Sequence, residues 1–296
     1  MTSQLINSVL LGGYYTVLAI GLAFMYSVMN IINLAHGALI ILAAFGLLVL
    51  GANWGVPLLL AIVIMMIVMF VLGLALQRTV LSRAASGGEL LPLLATFGIA
   101  IILDNLMFQA FGANSNSLAP LVGDLSWASF ELPGDIFIGK LSVYILIVAI
   151  ATIAAIELLL RRTDLGHRIQ ATSQDRATAA LLGIDTDRTL AIATGIALAT
   201  GVLAAAALGL RSSWGPYDGS AQLLFAFEAV VIGGMGSLWR VLIGAMILAF
   251  AQSLGAMIHP QGFLISGHLA FLAAVFIRLR GESFSLSSLL RKGMRT

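Results

Sequence analysis

Residues 56–76 read VPLLLAIVIMMIVMFVLGLAL, a run of apolar residues without a charged side chain. About 20 such residues in an α-helix cross the hydrocarbon core of a bilayer. Comparable runs recur along the chain, at about 5–28, 37–50, 91–112, 140–160, 189–210, 222–233, 239–258 and 263–278. The runs at 37–50 and 222–233 are too short for a straight span, which indicates broken or re-entrant helices. The sequence therefore predicts an all-α polytopic membrane protein, a bundle of about eight or nine transmembrane helices in a single domain.

The composition of the 296 residues agrees with a membrane protein, because 60% are apolar and only 9% are charged. In a soluble domain about 45–50% of the residues are apolar and about 25% are charged, so a water-soluble globule is excluded. Cysteine is absent, which excludes disulfide frameworks, cysteine-based zinc sites and thiol nucleophiles. Metal-binding His-Glu-x-x-His helices and Gly-x-Ser-x-Gly nucleophile turns are absent as well. We expect a protein that is not an enzyme and holds no metal or cofactor, and the net charge of +2 is too small to indicate nucleic-acid binding.

The positions of the basic residues predict the orientation, since loops rich in Lys and Arg stay on the cytoplasmic side. Of the 15 basic residues, two, Lys140 and Arg211, fall on one side of the predicted bundle and the rest on the other. The larger group comprises Arg78, Arg83, Arg161, Arg162, Arg168, Arg176, Arg188, Arg240, Arg278, Arg280, Arg291, Lys292 and Arg295. This distribution predicts a cytoplasmic C-terminus, with a basic tail over 278–296 that faces anionic lipid.

The most polar connection is the loop 161–188, which reads RRTDLGHRIQATSQDRATAALLGIDTDR. The stretch from Gln170 to Leu182 lacks Gly and Pro and predicts a helix that Gly183 ends. Ala177, Ala180 and Leu181 fall on one face of this helix and form a short apolar stripe. Such a stripe suits either docking into a groove of another protein or contact with lipid headgroups, and composition leaves both open.

The residue order within this loop resembles a known motif. Asp175, Ala179, Ala180 and Gly183 match the acidic-Ala-Ala...Gly pattern by which permeases of ABC transporters engage their ATPase subunits. The segment Gly21–Phe45 contains Asn-Leu-Ala-His-Gly, and Ala229–Leu238 contains Gly-Gly-Met-Gly-Ser. Both segments resemble those of the bacterial branched-chain amino-acid ABC transporter permease family. The compactness of the chain favours the shorter of the two permease subunits of the high-affinity leucine/isoleucine/valine-type importers.

Two positions depart from the pattern of that family. Trp239 and Arg240 stand where a Pro-Gly-like turn with small residues usually follows the Gly-Gly-x-Gly-Ser segment. Asp175 stands in place of Glu, a mild change because either carboxylate favours the first turn of a helix.

The resemblance implies an ATP-driven importer of the bacterial cytoplasmic (inner) membrane. It implies two ATPase subunits, a second permease subunit in a hetero-dimer and an extracytoplasmic solute-binding protein as partners, besides membrane lipid. The two lysines, Lys140 and Lys292, are followed by Leu141 and Gly293, so neither completes the Gly-Lys-Ser/Thr loop that binds ATP phosphates. If transport is driven by ATP, hydrolysis therefore takes place on another polypeptide.

Polar groups within spans are costly in hydrocarbon and usually face the protein interior or a water-filled path. The candidates for the translocation pathway are Asn30, Asn33, His36, Asp104 and Glu228. A simpler expectation for His36 is a structural hydrogen bond that fixes the turn at Gly37. For Asp104 the alternative is a bond that locks two spans together, and for Glu228 it is pairing with Arg211.

Transporters often bind substrate where short, Gly-interrupted helices occur in both halves of the chain. The places that fit are 30–37 and 228–237, the second with the glycine-rich break Gly233, Gly234, Gly236 and Ser237. A zwitterionic amino acid could meet helix ends there, but small residues also serve plain helix packing. Cargo therefore stays open between branched-chain or other apolar amino acids and urea or short amides. A self-sufficient secondary transporter or channel is the remaining alternative, with Asp104 and Glu228 as its ionisable groups.

Overall fold

A computed structural model describes residues 2–88, 90–132, 136–234 and 236–293. Within these ranges the chain is a helical bundle with one short β-hairpin, which confirms the all-α prediction. The α-helices in chain order are α1 (Thr2–Met29), α2 (His36–Leu48), α3 (Leu58–Leu76), α4 (Ser82–Ala85), α5 (Leu90–Phe111), α6 (Lys140–Arg162), α7 (Asp164–Gln174), α8 (Arg176–Leu181), α9 (Thr186–Arg211), α10 (Gly219–Gly233), α11 (Leu238–Ile258) and α12 (Gly262–Gly293).

Eight of the helical segments in the described ranges are long and apolar enough to cross a membrane, and α10 is a shorter apolar helix. All nine predicted runs are therefore helical. The run predicted at 37–50 is longer than expected, because a π-helical turn, Val49–Asn53, extends α2 to 18 residues. A second π-helical turn, Gln77–Leu81, joins α3 to α4.

Helices α1 and α9 form the centre of the bundle, whereas α3, α5, α6 and α12 lie outside and are mostly exposed. Small residues allow α3 and α9 to approach closely. A Cβ atom added to Gly73 would lie 2.7 Å from the Cα of Gly195. Such close backbone contact is typical of helix packing in membranes.

The loop 161–188 lies at one end of the bundle, which we call the arginine-rich end. Side-chain contacts bring the ends of other helices to it: Trp239 at the start of α11 donates a hydrogen bond to Glu157 near the end of α6. Arg278 of α12 lies beside the backbone at Gly234. Lys140 and Arg211 start α6 and end α9 at the opposite end. The helix of the basic tail extends to Gly293, and residues 294–296, including Arg295, lie outside the described residues.

The opposite end carries the hairpin of β1 (Ser129–Leu132) and β2 (Ile136–Gly139), in which Ser129 pairs with Gly139. A β-bridge between Asn116 and Trp214 ties this connection to the segment after α9.

Helices α2 and α10 begin inside the bundle and not at its ends. Asn30, with φ of +53°, turns the chain after α1, and α2 then starts at the level of Leu18 in α1. The start of α10 meets the start of α2, because a Cβ atom on Gly37 would lie 1.9 Å from the carbonyl oxygen of Gly219. The first predicted break, at 30–37, is thus confirmed. The predicted break within 228–237 separates α10 from α11 after Gly233, and a further helix start inside the bundle, at Gly219, was not predicted.

Candidate functional site: the loop at the arginine-rich end and the polar groups of the spans

The loop 161–188 contains two helices, so the prediction of one continuous helix from Gln170 to Leu182 is wrong. Asp175 separates α7 from α8 with extended backbone angles, φ −155° and ψ 105°. Its carboxylate accepts hydrogen bonds from the backbone N–H of Ala177 (2.9 Å) and of Thr178 (3.1 Å). An aspartate that captures free N–H groups in this way begins a new helix, which explains why helix propensity alone failed here.

The electrostatics of Asp175 follow from the same contacts. The Thr178 hydroxyl donates a hydrogen bond of 2.6 Å to the second carboxylate oxygen. This bond, with the backbone N–H of Thr178, lowers the pKa of the Asp175 carboxyl below its usual value. Asp175 is therefore ionised at neutral pH, the charge that best suits the N-terminus of α8.

Gly183 ends α8 in the left-handed conformation, with φ of +82°. The N–H of Gly183 donates to the carbonyl of Ala180 (3.0 Å), and the N–H of Ile184 donates to that of Ala179 (3.1 Å). These two bonds form a Schellman motif, in which Gly is favoured because it lacks a Cβ atom. The end of α8 is thus fixed by the residue that the sequence motif places there.

The short helix α8 exposes apolar side chains. Ala179 faces inward and is buried, whereas Ala177, Ala180, Leu181 and Leu182 are exposed, Leu181 by 88%. The predicted stripe of Ala177, Ala180 and Leu181 is thus accessible. Arg176 pairs with Asp187 of α9, so α8 is connected to a central span of the bundle. The arrangement is a short capped helix with exposed apolar side chains on an otherwise charged loop.

Asn33 and His36 form a structural network in the break before α2. The side-chain oxygen of Asn33 accepts the N–H of Ala35 (3.0 Å), and its carbonyl accepts the N–H of His36 (3.1 Å). The His36 ring donates from Nε2 to the carbonyl of Leu18 in α1 (3.0 Å). The expected structural hydrogen bond of His36 exists, although it holds α2 against α1 and does not act within the turn. Asn30 lies apart on the exposed surface at the arginine-rich end.

Asp104 and Glu228 do not join this network. Asp104 lies on α5, and its Oδ1 is buried without a hydrogen-bond partner among the described residues. The expected bond from this oxygen to a neighbouring span is therefore not found there. The neighbouring Asn105 donates to the carbonyl of Ile101 in its own helix (2.7 Å).

Glu228 of α10 pairs with His268 of α12, so the expected pairing with Arg211 is wrong. The His268 Nδ1 lies 2.5 Å from the Glu228 Oε1, while the Arg211 guanidinium lies over the ring of Tyr14, 5.4 Å from its centre. Arg211 ends α9 at the opposite end of the bundle, out of reach of the third turn of α10. Sequence reasoning did not single out His268, although a histidine inside an apolar run was a usable signal.

The glycine-rich break is a tight connection at the arginine-rich end. Gly234 and Gly236 have φ of +95° and +136°, and α11 begins directly afterwards at Leu238. Met235 lies outside the described residues.

Trp239 and Arg240, which depart from the family pattern, belong to the first turn of α11. Glu157 accepts from Trp239 and also forms an i, i+4 ion pair with Arg161 at 2.6 Å.

Glu157, Arg161, Gly236 and Trp239 help to line a cavity of about 180 Å³ that lies between α1, α6, α7 and α11. No group of His, Cys, Asp and Glu that could hold a metal ion occurs among the residues that the structure describes.

Comparison with known proteins identifies the family. The sequence model described as "Branched-chain amino acid transport system / permease component" matches residues 4–277. The high-affinity branched-chain amino acid transport system permease protein BraD of Pseudomonas aeruginosa is 28% identical over 86% of this chain and 85% of its own. The corresponding protein LivH of Escherichia coli K12 has the same identity and coverage. A probable branched-chain amino acid transport permease protein LivH of Methanocaldococcus jannaschii is 25% identical over 92% of this chain and 88% of its own. With eight apolar helices among the residues that the structure describes and a match over residues 4–277, the chain belongs to the family described as branched-chain amino acid transport system permease components.

Proposed function

We propose that the chain is the transmembrane permease subunit of an ATP-driven importer for branched-chain or other apolar amino acids. Its partners in this proposal are two ATPase subunits, a second permease subunit and an extracytoplasmic solute-binding protein. The names of the relatives support the cargo, because each is a permease for branched-chain amino acids. The loop charges support an arrangement in the inner membrane with the arginine-rich end and the C-terminus in the cytoplasm.

The observation that carries the proposal is the exposed apolar surface of α8. ATP hydrolysis on a separate subunit can drive transport only if its movement reaches the spans through a stiff contact. The helix α8 is capped by Asp175, ended by Gly183 and presents Leu181 to solvent. A short amphipathic helix of this kind fits a hydrophobic groove on a partner. We assign α8, within the coupling loop 161–188, as the element that docks on an ATPase subunit.

The connection of α8 to the bundle supports this role. The pair of Arg176 and Asp187 links α8 to α9, and α9 lies against both α1 and α3 in the centre of the molecule. Because only residues 182–185 separate α8 from α9, a displacement of α8 also acts on the start of a central span.

The test is transport by the reconstituted complex. The chain is expressed with the ATPase, second permease and binding-protein subunits of the proposed complex. Leucine uptake is then measured in vesicles with and without internal ATP. We expect Leu181→Asp to abolish ATP-dependent uptake and co-purification of the ATPase, since a carboxylate in an apolar groove is unfavourable. His167→Asp adds the same charge to an exposed site on α7 and serves as the control, with uptake close to that of the unaltered protein.

Each outcome distinguishes the alternatives. Normal uptake by Leu181→Asp would overturn the assignment of α8, and uptake without ATP would indicate a self-sufficient secondary transporter. Stimulation of ATP hydrolysis by a binding protein loaded with urea or a short amide, but not with leucine, would replace the proposed cargo.

A further inference from the structure

A second cavity, of about 200 Å³, lies at the arginine-rich end between the coupling loop and the spans. Its lining comes from the end of α1 and the residues after it, the π-helical turn after α3, the helix α4, the loop helices α7 and α8, and the first turns of α9. It shares no lining residue with the cavity beside Trp239. A molecule bound in this second cavity would therefore touch the coupling loop and two central spans, α1 and α9, at once.

Gln77 directs a free amide group into this cavity. The residue lies in the π-helical turn after α3 and is only 3% exposed. Its Oε1 accepts a hydrogen bond of 2.8 Å from the Thr194 hydroxyl. Its Nε2 donates to no residue that the structure describes, and it is not one of the unpartnered atoms that the protein hides from solvent. Because the rest of the side chain is buried, this nitrogen is reached through the cavity that Gln77 lines.

The other nitrogen-bearing side chains of the lining make the cavity suitable for an anion. Asn30 and Arg176 both line it and are exposed at its rim. One nitrogen of Arg176 binds Asp187, which leaves further N–H donors on the same guanidinium. Among the described residues, no Asp or Glu lines the cavity. A guanidinium and amide N–H groups without a carboxylate favour a ligand that accepts hydrogen bonds and carries a negative charge.

The rest of the lining limits the kind of anion. An ion that is polar all round, such as phosphate, would leave the apolar part of the wall in contact with water, whereas an aliphatic group would cover it. A cavity of about 150 Å³ holds benzene, which has about six non-hydrogen atoms, so this cavity suits a molecule of about eight. A short branched carboxylate has this size. The apolar part of the wall consists of Val28, Met29, Ile31, Ala85 and Leu190.

We propose that this cavity binds a small aliphatic carboxylate, with its charged group facing the N–H groups of Gln77 and Arg176 and its hydrocarbon part on the apolar wall. The bound molecule connects α7 and α8 to the bundle. Its position on the cytoplasmic side rests on the proposed function, whereas binding itself does not. Such a carboxylate has two sources, the amino acid that the importer delivers and a carboxylic acid without an amino group.

Labelling of a single cysteine tests the proposal, and the chain is suited to it because it contains no cysteine. Ser173→Cys places a thiol on the lining of the cavity. Its rate of reaction with N-ethylmaleimide is measured on the full chain, purified in detergent without a binding protein. The ligands compared are 4-methylpentanoate and its uncharged amide, 4-methylpentanamide. In parallel, hydrogen exchange of residues 164–176 is followed in the unaltered chain, whose cavity carries no substitution.

We expect 4-methylpentanoate to slow both the labelling and the exchange of 164–176 severalfold, and the amide to have little effect. Unchanged exchange in the unaltered chain, or equal slowing by acid and amide, would overturn the proposal. Equal slowing by inorganic phosphate at the same concentration would overturn the assignment of an aliphatic ligand. Slowing by leucine as well assigns the site to the delivered amino acid, and slowing by 4-methylpentanoate alone assigns it to a carboxylic acid without an amino group. Because no partner takes part, the result is independent of whether the ATPase co-purifies.

Two matched pairs of variants locate the binding site. Gln77→Glu keeps an acceptor for Thr194 but replaces the free N–H2 group with an oxygen, while Gln174→Glu adds the same charge to an exposed position of α7 outside the cavity. Arg176→Gln removes the cation of the cavity, and Arg168→Gln removes a charge from the exposed surface of α7. We expect Gln77→Glu and Arg176→Gln to abolish the slowing of exchange by 4-methylpentanoate, and the two control variants to retain it. Retention in all four variants would place the ligand elsewhere and overturn the proposal.

Discussion

The Oε1 atom of Glu228 in α10 lies 2.5 Å from the Nδ1 atom of His268 in α12. The carboxylate side chain is 1% exposed, whereas the imidazole is 41% exposed. The last helix, α12, packs on the bundle through α10 and α11 and is otherwise on the outside. This single pair is therefore a polar attachment of α12 to the buried part of the molecule.

The two partners of this pair should respond unequally to substitution. His268→Ala leaves a buried carboxylate without its partner, which is unfavourable. Glu228→Gln keeps a neutral acceptor at the same place and should cost less, since no unpaired charge remains. We expect a lower Tm in detergent for His268→Ala than for Glu228→Gln. His259→Ala, at an exposed turn before α12, is the control, and equal Tm values for all three variants would contradict the assigned role of the pair.

Asp175 should control the order of α8 through its hydrogen bonds. Asp175→Ala removes the acceptor for the N–H groups of Ala177 and Thr178, whereas Asp175→Asn keeps a good capping side chain. We expect hydrogen exchange in residues 176–184 to be several times faster in Asp175→Ala and nearly unchanged in Asp175→Asn. Similar exchange in Asp175→Ala and the unaltered protein would mean that the cap does not order α8.

The same residue predicts a pH dependence. Because hydrogen bonds lower the pKa of the folded Asp175 carboxyl, its ionised form stabilises α8 above the ordinary pKa of 3.8. That stabilisation is lost as the pH falls through the lower folded value. Protection of 176–184, corrected for intrinsic exchange, should therefore decline in acid for the unaltered protein. The Asp175→Asn variant should lack this decline, and an equal decline in both would assign the effect to another group.

Gly183 should be intolerant of a side chain for conformational reasons alone. A Cβ atom added to Gly183 would meet no atom within 4 Å. The cost of Gly183→Ala, about 1 kcal/mol, therefore comes from the positive φ and not from a clash. We expect this variant to loosen the end of α8 and to lower ATP-dependent uptake. Gly98→Ala, in α5 with equally open space and helical φ, should leave uptake unchanged. Reduced uptake from both variants would point to a general effect of added methyl groups.

The spans could be predicted because a single physical property, the length of an apolar run, determines whether a helix can cross a bilayer. The break at Asp175 could not be read from helix propensity, since a capping carboxylate competes with continuation of the helix. The pairing of Glu228 with His268 joins residues 40 positions apart, and helical spacing carries no information about such contacts. Only the packing of α12 on α10 brings them together.

The interior start of α10 was missed for a related reason. The polar segment 212–218 has the composition of an ordinary external loop, so the sequence predicts a short span from 222 and not a helix that begins inside the bundle. The position of the start of α10 is determined by the contact of Gly219 with Gly37. The candidate motif Asp175-Ala179-Ala180-Gly183, in contrast, was found from sequence, because its residue order resembles the pattern of a known permease family.

The contact between Gly37 and Gly219 predicts that Gly37 does not tolerate a side chain. A methyl group on Gly37 would lie 1.9 Å from the carbonyl oxygen of Gly219. No side-chain rotation can relieve this clash, because the backbone fixes the position of a Cβ atom and the carbonyl oxygen belongs to the backbone. Gly37→Ala must therefore separate the starts of α2 and α10, and overpacking of this kind costs about 1–3 kcal/mol or more. We expect a clearly lower Tm and loss of uptake. Gly201→Ala, whose added methyl group would lie 3.8 Å from Ile40, makes an ordinary contact and should be tolerated. If Gly37→Ala is as stable as Gly201→Ala, the two interior helix starts cannot be in contact, and the arrangement of both broken helices would have to be revised.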